Sequence, residues 1–502
     1  GMEQFHLEIQ NLYAALAQPT EKLTVSYPVS DGKGAEKRPS FVIGRIARLL
    51  PSISVEIESA DKEYRLSAKS TALEYAGEHI GGALWQYFEE QGDAERALAA
   101  MKDASRYTRG HLSRDAVRAL YGGAVTLSAS RMDMARSCHF AYFMRYGLKA
   151  RERTGAGFDA PQIGTFVHDV MEHTLRQAKE CGGLHTLSKD KLHALVRASI
   201  EEYIDRVLPD LCEKSARFRY LFNRLCATVE RIMDEVSEEL QSSDFEPLAF
   251  ELEFGADGQL PAITIREENG TARVVGKVDR VDGWLHDGKL YLRVVDYKTG
   301  KKSFDLAELR YGLGLQMLLY LFTLKEEGQM LFGGHEIVPA GVLYTPAREP
   351  MLRCARDTEP ETIEKALKKE LRRSGMVLED PAVLQAMEHS ALESPCYLPI
   401  AVKRDGAVTG SLASAEQLGK LSKYVDHILH EITQEVFAGN IDADPYARTP
   451  QQSACTYCEF ASACHFENGC GSDRMEYIKA TKNDEFWQYI DEVNGEGAHE
   501  NG

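Results

Sequence analysis

At 502 residues and 43% hydrophobic content, the chain is long enough for two or three domains and a large core. A net charge of −18 excludes a general polyanion binder, so any contact with nucleic acid needs a local basic lining and should be salt-sensitive. No secretory leader and no run of eighteen apolar residues is found, so a soluble cytoplasmic protein is expected, and its ten cysteines are not expected to form disulfides.

Residues 1–55 read as helix, strand and helix around a loop at Asp31–Ser40, and 56–125 read as mainly helical, ending at Tyr121-Gly122-Gly123. The stretch 128–153 sets Cys138 ahead of an aromatic-rich helix and carries Arg131, Arg136, Arg145, Lys149, Arg151 and Arg153. For most of those cations a solvated helix face is the better reading. A helix opens at I-G-T-F-V-H (163–168) and runs to about Lys179, with His168 and Glu172 one turn apart. A histidine near a helix start is more often structural than a ligand. Long helices, charged on one side, continue to 243, and strands follow at about 247–254, 262–267, 272–282 and 289–297.

The last two strands carry the chemistry. G-K-V-D-R-V-D (276–282) and V-V-D-Y-K-T-G (294–300) flank a turn at His286-Asp287-Gly288-Lys289, so the segment reads as a β-hairpin. Phosphodiester hydrolysis needs an activated water, relief of charge on the phosphorane and help for the leaving oxygen. Hard divalent cations serve all three and prefer oxygen ligands. Asp279 and Asp296 would offer carboxylates to Mg²⁺ or Mn²⁺. Strand alternation puts Asp296 and Lys298 on one face, while Tyr297 points away and offers only its carbonyl there. Lys298 would orient or deprotonate the water, or stabilise developing charge. An Asp-x-Lys on a hairpin is also often a solvated ion pair. Lys301 and Lys302 follow it and could add to a basic lining.

Gln316 and Tyr320 then share one face of an apolar helix, where a buried polar pair either meets something polar or bonds internally. G-V-L-Y-T-P (341–346) reads as a core strand, and 355–440 as helical with a break near Pro395. Cys455, Cys458 and Cys464 form a C-x₂-C-x₅-C cluster, three thiolates of a tetrahedral sulfur site. From spacing alone, zinc completed by Cys470 or His465 and an iron–sulfur cluster stand level. The tail, 471–502, holds a short helix around Phe486–Ile490 and a Gly/Glu-rich end of disordered composition.

In order, Gly164-x₃-His168, the G-x-x-D-R-x-D, the D-x-K and Gln316-x₃-Tyr320 resemble the RecB-type nuclease domain of the PD-(D/E)xK superfamily. The resemblance implies a restriction-endonuclease-like α/β core, a mixed sheet flanked by helices. It implies His168, Asp279, Asp296 and the Tyr297 carbonyl as metal ligands, Lys298 as the catalytic lysine, and Gln316 and Tyr320 as placing the DNA strand. An imidazole suits Mn²⁺ better than Mg²⁺, so the ion is not fixed by the ligand set.

The segment 128–153 further resembles the start of the nuclease domain in AddB-type helicase–nuclease subunits. There a cysteine joins three distant ones around a [4Fe–4S] cluster, which here implies Cys138 with Cys455, Cys458 and Cys464. The family's Cys-Pro-Phe is Cys138-His139-Phe140 in this chain, a change that leaves the thiolate in place. Residues 11–28 resemble the last motif of superfamily 1 helicases, with Ala17-Gln18 where active enzymes carry Thr-Arg. No G-x-x-x-x-G-K-[ST] occurs, so no ATPase activity is expected of this chain.

The expected organisation is a remnant of an inactive helicase-like domain (1–55), a helical linker region (56–126), the nuclease domain with its cysteine staple (127–470) and the tail (471–502). The expected function is single-strand DNA exonuclease action within an AddAB-type complex that processes double-strand breaks, with an AddA-type subunit as partner and no membrane. A stand-alone iron–sulfur nuclease of CRISPR-associated or phage type, and a non-catalytic module that grips DNA or a partner, are the alternatives.

Overall fold

A computed structural model describes residues 2–29, 37–53, 65–106, 108–151, 160–209, 215–255, 258–350, 352, 354–355, 358–449 and 451–500. The chain divides into two compact units, 1–102 and 103–502. The first is helical among its described residues. Helices Lys69–Glu78 and Ala83–Gln91 close a small core of Ala72, Ala76, Trp85, Phe88, Ala94 and Leu98. Helix Met2–Ala17 is followed by residues 22–28, within the stretch expected to hold a strand. They join no ladder, because no other strand among the described residues of this unit is there to pair with. Most of the expected Asp31–Ser40 loop lies outside the described residues, as does Arg153.

The second unit is built on one mixed sheet. Its main elements are helices α1 (Ala129–Ser137), α2 (Ala160–Glu180) and α3 (Ala216–Gln241), then strands β1 (Glu246–Phe254), β2 (Gly276–His286) and β3 (Lys289–Lys298). Helix α4 (Gln316–Glu327), strands β4 (Glu336–Pro346), β5 (Ser374–Leu378) and β6 (Leu412–Ala413), and helix α5 (Ala415–Ala438) follow. The sheet runs β6-β5-β4-β3-β2-β1. The β3/β4 and β5/β6 pairs are parallel and the others antiparallel. The mixed sheet flanked by helices is the expected nuclease core.

The β2–β3 hairpin forms because Asp287 and Gly288 both adopt left-handed φ values, +50° and +79°, the twist that a two-residue turn between antiparallel strands requires. Residues 272–282, expected as one strand, are two. Gly270–Val274 pairs with Ile263–Glu267 and Ala124–Leu127 in a separate small sheet. Val275 bonds through its N–H to the Leu127 carbonyl, and β2 begins at Gly276 in the main sheet. The expected helical stretch 355–440 also holds β5, β6 and the strands Ile400–Val402 and Val408–Gly410. Ser374–Leu378 is a short, almost wholly buried run, the pattern that periodicity alone cannot assign to helix or strand.

Alternation along β2 and β3 sorts their polar side chains by face. Arg280, Asp282, Arg293 and Tyr297 share one, and Asp279, Asp296 and Lys298 the other. The first set is fully buried and forms an ionic ladder. Arg280 Nη1 donates to the Tyr297 hydroxyl at 2.6 Å, Arg280 Nε and Arg293 Nε each stand 2.8 Å from the Asp282 carboxylate, and Arg293 Nη2 is 3.3 Å from Glu239 of α3. Arg373, just before β5, donates to Glu239 through Nε and Nη2.

Burial alone would push the Glu239 carboxyl up, but Arg373, Arg293 and Arg280 outweigh it and bring it down to about 2. A carboxyl held below its unfolded value adds stability that is complete above about pH 5 and is lost as the pH falls towards the folded value. Glu239→Gln leaves buried guanidinium charge uncompensated and is expected to lower the unfolding free energy by about 3–5 kcal/mol at pH 7. Urea unfolding at pH 7 and at about pH 3 checks both points: the gap between wild type and variant should narrow at the lower pH.

Candidate metal and nucleic-acid site

On the second face of β2 and β3 the register builds a row of carboxylates. Arg280 pairs with Val295 and with Phe250, so one further step sets Asp279 between Asp296 on β3 and Glu251 on β1. Helix α2 supplies His168 to this row. Its Nδ1 lies 3.2 Å from Asp279 Oδ2 and its Nε2 lies 2.8 Å from the Tyr297 carbonyl. Asp279 Oδ2 also accepts the Tyr297 N–H at 2.9 Å, so the residue whose carbonyl faces the site is held at both ends of its backbone.

The electrostatics are those of a site short of positive charge. Burial would push the His168 imidazole down, but its hydrogen bond to Asp279 and the charges of Asp279 and Asp296 lift it to about 9. With acceptors at both nitrogens the ring favours its protonated form, and a cation bound there would have to displace that proton. Burial, with Asp279 beside it, pushes Asp296 up to about 6 against the pull of Lys298, whose Nζ is 2.7 Å from Asp296 Oδ2. Lys298 also lies over the Tyr344 ring, 5.7 Å from its centre.

Of the expected ligands, His168, Asp279 and the Tyr297 carbonyl meet, while Asp296 is the neighbour of Asp279 across the β2–β3 pair and carries Lys298, outside the group of ligand atoms lying within 4.8 Å of one another. Sequence reasoning missed Glu251. Among the described residues, His168, Glu251 and Asp279 are the group of three potential ligand atoms lying within 4.8 Å of one another. Among the described residues Glu251 is also the non-glycine strand residue with a left-handed φ, +49°, a conformation that costs about 1–3 kcal/mol. Its ion-pair partner is Lys277 of β2. In L-A-F-E-L-E-F it alternates with apolar residues and reads as a solvent-facing position, so the sequence holds no signal for it. The donor set of carboxylates, one imidazole and one carbonyl fits a hard divalent cation.

Gln316 and Tyr320 bond to each other, Nε2 to hydroxyl at 3.2 Å. They also line a groove of about 660 Å³ with Ser128, Ser130, Asp133, Gly276 and Lys277. A Cβ at Gly276 would stand 2.5 Å from the Tyr320 ring, so that position requires glycine. Of the expected basic lining, Arg136 is taken up by Glu431 and Glu435, Arg145 by Glu459, and Lys302 faces Glu308.

A second cavity, of about 700 Å³, is walled by Cys138, Cys455, Cys458 and Cys464 with Phe140, Phe460 and Phe466. His465 lines it, whereas Cys470 is not in its wall and is exposed. Burial pushes the Cys138 thiol up to about 12, and burial and the neighbouring thiols raise Cys455. Thiols that discourage one another's ionisation in an apolar cavity are what a cationic centre relieves. The four thiols fit a thiolate-held centre, zinc and iron–sulfur alike.

A profile of the PD-(D/E)XK nuclease superfamily matches residues 126–465. Three similar curated proteins are each named as the B subunit of an ATP-dependent helicase/deoxyribonuclease. That of Ruminiclostridium cellulolyticum is 29% identical over 96% of this chain and 44% of its own length. That of Clostridium botulinum is 30% identical over 95% and 44%, and that of Caldanaerobacter subterraneus subsp. tengcongensis 29% over 98% and 44%. The chain thus spans less than half the length of the curated relatives it matches.

Proposed function

Since the chain belongs to the PD-(D/E)XK nuclease superfamily, we propose that it is a divalent-cation-dependent deoxyribonuclease that hydrolyses single-stranded DNA from its ends. The observation that carries this is the row Glu251, Asp279 and Asp296 on three adjacent strands, capped by His168 and flanked by Lys298. Bound Mg²⁺ or Mn²⁺ would supply Lewis acidity and charge neutralisation at the phosphodiester. Asp279, Asp296, the Tyr297 carbonyl and His168, once deprotonated, would hold the cation, and Glu251 would complete the acidic wall. Lys298, whose Nζ stands 2.7 Å from Asp296 Oδ2, would orient or deprotonate the attacking water or stabilise the developing negative charge. The groove lined by Gln316 and Tyr320 receives the strand next to the scissile bond, offering hydroxyl and amide groups in place of a dense basic lining.

The relatives' name, the B subunit of an ATP-dependent helicase/deoxyribonuclease, supports work beside a partner subunit of AddA type; a place in the cytoplasm and a role in processing double-strand breaks for recombination complete the proposal. Among the described residues no helix is long and apolar enough to cross a membrane. Cys138, Cys455, Cys458 and Cys464 hold a [4Fe–4S] cluster that ties the two ends of the nuclease domain together.

The purified chain with Mn²⁺ should shorten end-labelled single-stranded DNA and stop on addition of a chelator. Glu251→Gln should raise the Mn²⁺ concentration for half-maximal rate by about tenfold or more. Cleavage that persists undiminished in excess chelator would overturn the proposal.

A further inference from the structure

Arg109 lies in a stretch with no motif, yet it is where the two halves of the cysteine cavity meet. Its Nε and Nη2 form a two-pronged pair with Asp473, at 2.7 and 2.8 Å. Nη2 also donates to the carbonyl of Cys464 itself at 2.8 Å. The guanidinium lies over the ring of Phe140, two residues after Cys138, with its carbon 4.5 Å from the ring centre. The Arg109 N–H bonds to Ser472. Both charged partners are about nine-tenths buried. Asp473, in a C-terminal segment rich in acidic residues, is a buried anchor here.

We propose that Arg109 is the positioning residue of the four-cysteine centre: it locks the Cys464 turn against the Cys138 helix and sets one fixed positive charge behind the thiolates. The inference rests on the reading of these cysteines as a metal centre, whether iron–sulfur or zinc. The physical need is local. Cys138 sits between helical segments, whereas Cys464 ends a four-residue helix and is followed by His465 in a left-handed conformation. Among the described residues that turn joins no strand ladder; backbone bonds close it locally, and side-chain bonds tie it to residue 109. A planar fork that binds a carboxylate, a carbonyl and a ring face at once is a task for arginine, which lysine cannot reproduce. The charge also has a target, because thiolates in a phenylalanine-lined cavity gain from a nearby cation that cannot lose its proton.

The test uses the full chain purified anaerobically, as wild type, Arg109→Gln, Arg109→Lys and Asp473→Asn, each well below its unfolding midpoint. Release of iron or zinc to a colorimetric chelator is followed together with the visible absorption band or, for a cluster, its reduction potential. Arg109→Gln should release metal about tenfold faster or more and shift the potential downward. Arg109→Lys, which keeps the charge and loses the fork, should keep a near-normal potential but still release metal faster. It also stands in if the glutamine variant does not fold. Asp473→Asn, which loosens the fork but leaves the Arg109 charge less opposed, should release metal faster than wild type with a potential shifted upward. Wild-type release rates with an unchanged spectrum in both Arg109 variants would overturn the inference while leaving the metal centre standing. Wild-type protein that holds neither iron nor zinc would overturn both.

Discussion

Lys298→Ala is expected to leave a folded protein whose Mn²⁺-dependent cleavage of single-stranded DNA falls by about 10³-fold. Asp296→Asn should do the same. The fold should survive in each case for a specific reason. Asp296 is buried and already raised to about 6, so losing Lys298 pushes it further towards the neutral acid, which needs no counter-charge. In Asp296→Asn, Lys298 is about a third exposed and can turn to solvent. Circular dichroism and the unfolding midpoint check the fold, and single-turnover digestion checks the chemistry. Undiminished cleavage by Lys298→Ala would rule out the role given to this lysine.

The second large effect concerns the cysteines. Cys138→Ser and Cys455→Ser should each lose the bound metal and destabilise the nuclease domain by about 5 kcal/mol, because the tie they complete closes a loop of about three hundred residues in the unfolded chain. Cys470→Ser is the discriminating control. Its thiol stands outside the cavity wall, so metal content and stability should match wild type. Iron, sulfide and zinc per chain, with thermal unfolding of the same anaerobic samples, decide the outcome. Near-stoichiometric zinc without sulfide would replace the cluster with a zinc site, and metal loss in Cys470→Ser would redraw the ligand set.

The hairpin could be read from sequence because its signals are local. An Asp-Gly turn, an apolar approach through Val294-Val295 and a period of two are enough to set Asp296 and Lys298 on one face. The helix carrying His168 was equally legible, beginning three residues before its expected start. The resemblance joins His168 to the two aspartates across more than a hundred residues, and in the structure His168 stands 3.2 Å from Asp279 and 2.8 Å from the Tyr297 carbonyl.

Other features had no local signature. The break at Val275 depends on which sheet each half joins, and nothing in V-V-G-K-V marks the change. Residues 374–378 became a strand because a parallel neighbour and an antiparallel one lay on either side, not because of their propensity.

Residue chemistry and period along the chain were enough to specify a two-carboxylate, one-lysine hairpin and a thiol cluster, since each is set by neighbours a few positions away. Which further groups converge on them was decided by packing between elements remote in sequence. Helix α2 is brought over the face of β1, turning Glu251 from a position that reads as solvent-facing into part of the acidic row. The C-terminal turn folds back onto residue 109, turning an unremarked arginine and a surface-like aspartate into a buried clamp. Side-chain charge is a property of sequence, but whether it is solvated or opposed by another charge is set only when distant segments exclude water between them.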